Sequence, residues 1–296
     1  MSQSLATRYP LVLVPGMLGF VRLGWFAYWY GIVPALRAGG AQVFAVQVAP
    51  LDSNEVRGEQ LLAAIERIVQ ETGADKVNLI GHSQGALTAR YAAATRPERV
   101  ASVTSVAGPN HGSELADHIH AHYPADSVKG RLMSAAFYLV AGVMGLLETG
   151  YRGPRFNADL HASHHSLTSA GVALFNRQYP QGLPETWGGH GAELVNGVRY
   201  YSWSGTLQPG KTDRGRNRLD VTHRSCRWFA RSFVREQGQC DGMVGRYSSH
   251  LGMVIGDDYA LDHFDIVNQS LGWVGKDAEP IRLFVEHARR LKAAGV

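Results

Sequence analysis

Residues 76–94 constrain the fold of this chain more than any other segment. Residues 76–80 form an apolar run typical of a buried strand, and residues 86–94 are good helix formers with few β-branched side chains. Between them stands Gly81-His82-Ser83-Gln84-Gly85, a G-x-S-x-G turn. A strand, this turn and a helix in succession are typical of a nucleophile elbow, whose central serine takes a strained backbone conformation. The sequence therefore predicts that Ser83 Oγ is exposed at the carboxyl end of a parallel strand.

Apolar runs and amphipathic stretches alternate along the first third of the chain. Strands are predicted at 11–14, 41–48, 77–80 and 100–106, and helices at 31–38 and 55–71. Later strands are predicted at 200–203 and 251–255, and a closing helix at 281–291. This alternation predicts a mostly parallel α/β sheet with helices on both faces. With 296 residues, the chain is long enough for a single domain, 1–296, with a cap inserted at approximately 112–160.

Residues 132–147 contain no charged side chain. The segment is short for a membrane span, and its glycines Gly142 and Gly145 weaken that interpretation further. Two interpretations stay open, a buried core helix and a mobile cap helix that covers an apolar site when closed. The position of the segment, after a sheet strand in the middle of the fold, favours the cap.

A serine nucleophile needs an adjacent base, and the base needs an acid that orients it. In a fold of this kind the acid and then the histidine follow the serine along the chain. His263, in a polar stretch after a late apolar strand, is the preferred base. Asp241 is the preferred acid. The other nearby aspartate, Asp262, adjoins the histidine in sequence, so its side chain would point elsewhere. Asp241 also has an alternative interpretation as a turn residue, because Asp-Gly is a common turn pair. The weaker candidates for the base are His223, His250 and His287.

Acyl transfer also needs hydrogen-bond donors for the oxyanion. The backbone N–H groups of Gln84, directly after the serine, and of Met17, in the loop 15–19 after the first strand, are the expected donors. Several aromatic side chains follow that loop. They are core residues by default, and some of them could line an acyl pocket: Trp25, Phe26, Tyr28, Trp29 and Tyr30.

Net charge, the N-terminal sequence and the cysteines bear on the partners, the location and the cross-links to be expected. The net charge is only +4, and the densest basic stretch, 211–218, is short and contains Asp213, so a nucleic-acid partner is not expected. Residues 1–8 lack the basic and apolar regions of a signal peptide. A cytoplasmic protein, a mature form and export without a cleaved signal all fit this, and a secreted protein is favoured. The two cysteines, Cys226 and Cys240, could pair.

Several longer stretches carry a family resemblance. They read YPLVLVPGMLGF at 9–20, NEVRG at 54–58, VNLIGHSQG at 77–85, NHGS at 110–113, VNGVRYYSWSG at 195–205, DGMVGR at 241–246, SSHLGMVI at 248–255 and DHFDIVNQ at 262–269. In these stretches the chain resembles the bacterial true lipases of the Pseudomonas and Proteus type. Members of that family are calcium-dependent α/β-hydrolases that act on triacylglycerols.

The resemblance implies a catalytic triad of Ser83, Asp241 and His263, with oxyanion donors at Met17 and Gln84. It implies a structural calcium ion held by four residues: the carboxylates of Asp220 and Asp265 and the backbone carbonyls of Gln269 and Trp273. It also implies a lid at 132–147, a lipid ester substrate at an oil–water interface, and a monomer without a transmembrane anchor. Whether a folding chaperone is required stays open.

The chain departs from the family pattern at two places. Pro15 stands where many relatives have histidine, which could stiffen the oxyanion loop. Relatives with a disulfide have a cysteine shortly after the acid, and here that region reads Tyr247-Ser248-Ser249. Any bridge between Cys226 and Cys240 would therefore be peculiar to this chain.

The predicted function is hydrolysis of long-chain acyl esters through an acyl-serine intermediate. A soluble carboxylesterase or an acyltransferase with the same triad is the nearest alternative. A non-catalytic ligand-binding relative is disfavoured, because it would be expected to have lost one of Ser83, Asp241 and His263, and this chain keeps all three.

Overall fold

The computed structural model describes residues 4–124, 126–153 and 155–296. Residues 1–3 of the polar N-terminal stretch, and residues 125 and 154 of the predicted insertion, lie outside the described part. The strands within it are β1 (Leu11–Val14), β2 (Arg22–Leu23), β3 (Phe26–Ala27), β4 (Val43–Ala45), β5 (Val77–His82), β6 (Val100–Val106), β7 (Leu194–Val195), β8 (Val198–Gly205) and β9 (Met253–Tyr259). The helices are α1 (Ile32–Ala38), α2 (Asn54–Thr72), α3 (Gln84–Thr95), α4 (Glu114–His122), α5 (Val128–Leu147), α6 (Leu160–His165), α7 (Ser169–Gln178), α8 (Val221–Phe229) and α9 (Pro280–Ala293).

A mostly parallel sheet organises the described residues. Its order is β4-β1-β5-β6-β8-β7, with β9 also paired to β8, and every pair is parallel except β7 with β8. Alternate residues of β1 face opposite sides, as the pleat requires. Leu11 and Leu13 pack with residues of α1 and α9, whereas Val12 and Val14 pack with residues of α2 and α3. The predicted α/β fold is confirmed.

Four strands differ from their predicted bounds: β5 extends two residues beyond the predicted 77–80, β8 extends two residues beyond each end of the predicted 200–203, and the other two differ more. The predicted strand 41–48 is paired only over Val43–Ala45, because it lies at the edge of the sheet and has β1 as its single neighbour. The predicted strand 251–255 instead runs over Met253–Tyr259. Its second half contains Gly256, Asp257 and Asp258, which are poor strand formers, and irregular pairing with β8 carries it as far as Tyr259. The longer strand ends only a short loop before His263.

Helix α5 is longer than the predicted segment 132–147. It begins at Val128 because the Ser127 hydroxyl caps it, accepting the backbone N–H of Gly130 at 3.0 Å. Its only buried residues are Gly130 and Ala141, so α5 is not a core helix. Among the described helices, α5 is the one with the length and composition of a membrane span, although little of it is buried in the fold.

The two cysteines are buried and do not form a disulfide. Burial raises the pKa of both thiols, that of Cys240 to about 12. Each is therefore protonated at neutral pH and behaves as a small apolar side chain.

Candidate active site

Ser83 occupies a sharp turn between β5 and α3. Its backbone angles, φ 55° and ψ −129°, lie in a sparsely populated region for a residue with a side chain. Its N–H donates to the Val106 carbonyl of the neighbouring strand at 3.0 Å, which holds the turn against the sheet. A Cβ at Gly81 would collide with the Gly85 carbonyl, and a Cβ at Gly85 with the Val14 carbonyl. Both glycines are therefore required by close packing, and the strand–turn–helix geometry predicted from the sequence is present.

His263 and Asp241 form a buried pair. The distance from His263 Nδ1 to Asp241 Oδ2 is 2.7 Å, and the two residues are 2% and 1% exposed. The other carboxylate oxygen, Oδ1, accepts the backbone N–H groups of Met243 and Val244, both at 2.8 Å. Because an ionised carboxylate can only accept, the Nδ1 atom carries the proton and Nε2 is left as the basic nitrogen.

Ser83 and His263 line one cavity of about 340 Å³. Most of its wall is apolar and comes from the loop after β1, from α4 and from α5. Helix α5 contributes Phe137 and Met144, and the loop after β1 contributes Met17. A half-buried serine and a histidine at the wall of an apolar cavity suit an uncharged substrate with a hydrocarbon chain.

The loop after β1 and the start of α3 each present one unpaired backbone donor close to Ser83. Among the hydrogen bonds of the described residues, none is donated by the backbone N–H of Met17 or of Gln84. Gln84 is the first residue of α3, where backbone N–H groups have no partner within the helix. These are the two donors that the sequence predicts for an oxyanion.

The Arg57 side chain donates hydrogen bonds to the backbone of that loop, a role that the sequence did not predict. Its fully buried guanidinium donates to the Pro15 carbonyl at 2.6 Å, to the Gly16 carbonyl at 3.2 Å and to the Ala49 carbonyl at 2.6 Å. Burial lowers its pKa to about 10, so it remains a cation at neutral pH. The loop thus depends on the carbonyl of Pro15, which proline retains, and not on an N–H at that position.

A second hydrogen-bond chain connects the loop after β1 to His263. Tyr28 Oη accepts the Gly16 N–H at 2.9 Å and lies 2.6 Å from His82 Nδ1, and His82 Nε2 lies 2.9 Å from the His263 carbonyl. A carbonyl only accepts, so Nε2 donates and Nδ1 accepts from Tyr28. Burial, and then the neighbouring His263, hold the pKa of His82 well below its ordinary value, so the ring is neutral. Of the aromatic residues considered for the acyl pocket, Tyr28 is the one whose hydroxyl forms hydrogen bonds next to Ser83.

The other candidate histidines have different partners. His250 lies 3.0 Å from Asp257, and His287 lies 2.7 Å from the Thr104 hydroxyl. His223 lies 2.7 Å from Asp262, which therefore points away from His263 as expected. Although burial lowers the pKa of His223, its hydrogen bonds to Asp262 and Asp213 raise it overall.

The residues predicted to bind calcium contain buried oxygens without partners. Asp220 Oδ2 and Asp265 Oδ1 accept no hydrogen bond from the described residues, and neither does Asn217 Oδ1. Asp265 Oδ2 accepts from the Asn217 amide at 2.5 Å. Burial, and then the charge of Asp262, raise the pKa of Asp265 to about 8.

The other two predicted ligands are the backbone carbonyls of Gln269 and Trp273. The Gln269 carbonyl accepts the Leu271 N–H at 2.7 Å, which leaves one of its two lone pairs. The closest group of metal-binding side chains among the described residues is His223, Asp262 and Asp265, whose ligand atoms lie within 4.8 Å of one another. Asp265 is common to this group and to the predicted set, in which Trp273 is included only for its backbone carbonyl.

Comparison with known proteins places this chain in a family. Residues 9–138 match the family described as alpha/beta hydrolase fold. The chain is 48% identical over 297 residues to a triacylglycerol lipase of Pseudomonas fragi, covering 100% of both chains. It is 43% identical to a triacylglycerol lipase of Vibrio cholerae, covering 98% of this chain and 89% of the relative. The chain belongs to the triacylglycerol lipase family.

Solved lipase structures have the same fold as this lipase. The Staphylococcus hyicus lipase superposes with a TM-score of 0.63 at 17% identity and covers 97% of both chains. The mature Bacillus licheniformis lipase BlEst2 also gives 0.63, at 18% identity, with 97% of this chain and 95% of the other covered. At such identities the likeness shows the fold alone. Family membership makes this protein a carboxylic ester hydrolase and confirms the resemblance found in the sequence.

Proposed function

We propose that this lipase hydrolyses triacylglycerols and other long-chain acyl esters through an acyl-enzyme on Ser83. The observation that carries the proposal is the buried His263–Asp241 pair, joined at 2.7 Å, whose histidine shares an apolar cavity with Ser83 in its strained turn. In the first half-reaction His263 Nε2 takes the proton of Ser83 Oγ as that oxygen attacks the ester carbonyl carbon. Asp241 keeps the Nδ1–H tautomer and stabilises the imidazolium that forms.

The oxyanion of the tetrahedral intermediate would accept the free N–H groups of Met17 and Gln84. Its collapse breaks the bond to the leaving alcohol, and His263 returns the proton to that oxygen. Water then attacks the acyl carbon, His263 takes the water proton, and a second collapse releases the fatty acid and restores Ser83.

A comparison of substrates tests the lipase proposal against a soluble esterase with the same triad. We expect turnover to rise sharply once a long-chain ester exceeds its solubility and forms an emulsion, because α5 presents apolar side chains that favour a lipid surface. A chain-length series of p-nitrophenyl esters, run above and below solubility, measures this rise. Activity that saturates on dissolved short-chain esters, with no rise on emulsions, would favour the esterase.

Helix α5 is the proposed lid. Phe137 and Met144 line the cavity, while on the outer side Leu132 and Leu139 are 73% and 69% exposed. A helix that is apolar on both sides can cover the cavity with one side and contact lipid with the other.

Tyr28→Phe tests the hydrogen-bond chain behind the proposed oxyanion loop. The substitution leaves the Gly16 N–H and His82 Nδ1 without a partner, so we expect a loss of about 1–3 kcal/mol in the free energy of unfolding. We also expect kcat to fall about tenfold with KM unchanged, since the loop would no longer be fixed relative to Ser83. Denaturant titration and steady-state kinetics on a soluble ester measure the two effects. Tyr30→Phe is the matched control, and a wild-type kcat in Tyr28→Phe would contradict the proposed coupling.

We also propose that this lipase binds one calcium ion. The unpartnered oxygens of Asp220 and Asp265 support it, because calcium prefers carboxylate and carbonyl oxygens. The carboxylates of Asp220 and Asp265 and the backbone carbonyls of Gln269 and Trp273 would hold the ion. It would supply positive charge to a buried acidic cluster and, through Asp265, fix the loop that carries His263.

Removal of calcium should therefore destabilise the fold. At a calcium concentration one hundred times Kd, binding contributes about 2.7 kcal/mol, so EGTA should lower the Tm by about 5 °C and reduce activity. Differential scanning calorimetry with and without EGTA measures the shift. Asp265→Asn should remove the response to EGTA, and an unchanged Tm in the wild type would argue against a bound ion.

A further inference from the structure

We propose that the β2–β3 hairpin is a second lipid-anchoring element, which binds the ester-lipid surface beside α5 through Trp25. The proposal rests on the lipase function proposed above and adds a contact outside the lid. The two strands pair through Arg22 with Ala27 and Leu23 with Phe26, and Gly24 supplies the positive φ of the turn. This geometry places Trp25 at the tip.

Trp25 is the most exposed aromatic side chain among the described large apolar residues, at 70%. A tryptophan held at the tip of a hairpin exposes its apolar ring to water, which is unfavourable. At a boundary between water and lipid the ring can contact lipid while its N–H remains hydrated. Arg22, on the same hairpin, is also exposed. A cation beside an apolar tip fits a surface that carries fatty-acid carboxylates, which ester hydrolysis produces.

The hairpin is joined to the end of α5. The Glu148 carboxylate, directly after the helix, accepts the backbone N–H groups of Val21 at 2.7 Å and Arg22 at 3.0 Å. Thr149 N–H donates to the Arg22 carbonyl at 2.8 Å, so the chain leaving α5 runs alongside β2. The exposed Leu147 at the helix end is therefore followed directly by residues bound to the hairpin, so the two elements with exposed apolar side chains are neighbours.

A row of aromatic rings connects the hairpin tip to the substrate cavity. The ring centroids of Trp25 and Phe26 are 6.4 Å apart, and those of Phe26 and Phe20 are 5.5 Å apart. Phe20 lines the cavity that contains Ser83. A lipid surface in contact with Trp25 would therefore be next to the cavity that must receive its acyl chains, which is why we assign the hairpin to lipid and not to a protein partner.

Adsorption to a triolein emulsion tests the proposal. We would compare Trp25→Ala with Trp228→Ala, a matched control on α8 whose tryptophan is 60% exposed. Both would be measured in a Ser83→Ala background, so that no fatty acid accumulates, by depletion of protein from the aqueous phase. We expect Trp25→Ala to weaken adsorption about tenfold, in line with the loss of one large apolar contact, and Trp228→Ala to have no effect.

Turnover of dissolved p-nitrophenyl acetate, measured with Ser83 intact, separates the anchor from the proposed catalytic site. We expect kcat/KM of Trp25→Ala on this substrate to remain within twofold of the wild type. If Trp25→Ala adsorbed as well as the wild type, or if Trp228→Ala lost as much adsorption, the anchor proposal would be overturned. Neither result would bear on the triad proposal. A wild-type dimer that Trp25→Ala dissociates in sedimentation velocity would also overturn it, because the hairpin would then be an interface between two copies.

Discussion

Replacement of Ser83 by alanine is expected to lower kcat on p-nitrophenyl esters by at least ~10³-fold, because the members of a serine triad act as a unit. The substitution removes the oxygen proposed to form the acyl-enzyme and leaves Asp241, His263 and the proposed oxyanion donors in place. Alanine carries the same Cβ as serine and can adopt the strained backbone of the turn about as readily, so the fold should be retained.

The measurement is steady-state turnover, supported by the Tm and the circular dichroism spectrum. Ser225→Ala is a matched control, since Ser225 is also half-buried but its hydroxyl donates to the Val221 carbonyl within α8. Mass spectrometry after a short reaction should find an acyl adduct on the wild type and none on Ser83→Ala. Near-wild-type turnover in that variant would end the triad proposal.

Asp241→Asn should reduce kcat by about 10³- to 10⁴-fold, and the hydrogen bonds around the carboxylate give the reason. Asp241 Oδ1 accepts two backbone N–H groups, from Met243 and Val244. An asparagine must keep its oxygen there, which turns its NH₂ group toward His263 Nδ1. The histidine would then accept at Nδ1 and carry its proton on Nε2, where it could not take the proton of Ser83.

Asp262→Asn is the control for this prediction, because it changes an equally buried neighbouring acid that pairs with His223. We expect that variant to lose stability while it keeps kcat within about tenfold of the wild type. If Asp262→Asn lost more activity than Asp241→Asn, the assignment of the acid would be wrong.

The sequence predicted the parts of the fold that depend on contiguous patterns. The strand–turn–helix around Ser83 lies in one short segment, and the order of strands and helices before it follows from alternating apolar runs. The second half of β9 was missed because Gly256 and two aspartates stand where apolar residues were expected, and pairing with β8 outweighs their poor strand propensity. The start of α5 was missed because the Ser127 cap adds a first turn that contains charged residues.

The polar residues behind the site could not be predicted in the same way. Arg57 stands on an amphipathic helix, where an arginine is ordinarily solvated, and only the fold shows that it faces the loop at Pro15. His82 carries no pattern of its own beyond its place before Ser83. Tyr28 could not be distinguished from the neighbouring aromatic residues, because its role depends on a hydroxyl that meets Gly16 and His82. Buried hydrogen bonds between distant segments leave no local signal.

The contact between His82 and the His263 carbonyl spans 181 positions of the chain. The serine and its helix are encoded early, whereas the base is encoded close to the C-terminus. Contacts of such large sequence separation are slow to form, because loop-closure entropy opposes them until the rest of the fold supports them. A growing chain would therefore carry the proposed nucleophile for most of its synthesis without the proposed base. If Ser83 and His263 act as proposed, hydrolytic activity would appear only when the C-terminal third docks, and the unfinished chain would be inert toward the lipids of the cell that makes it.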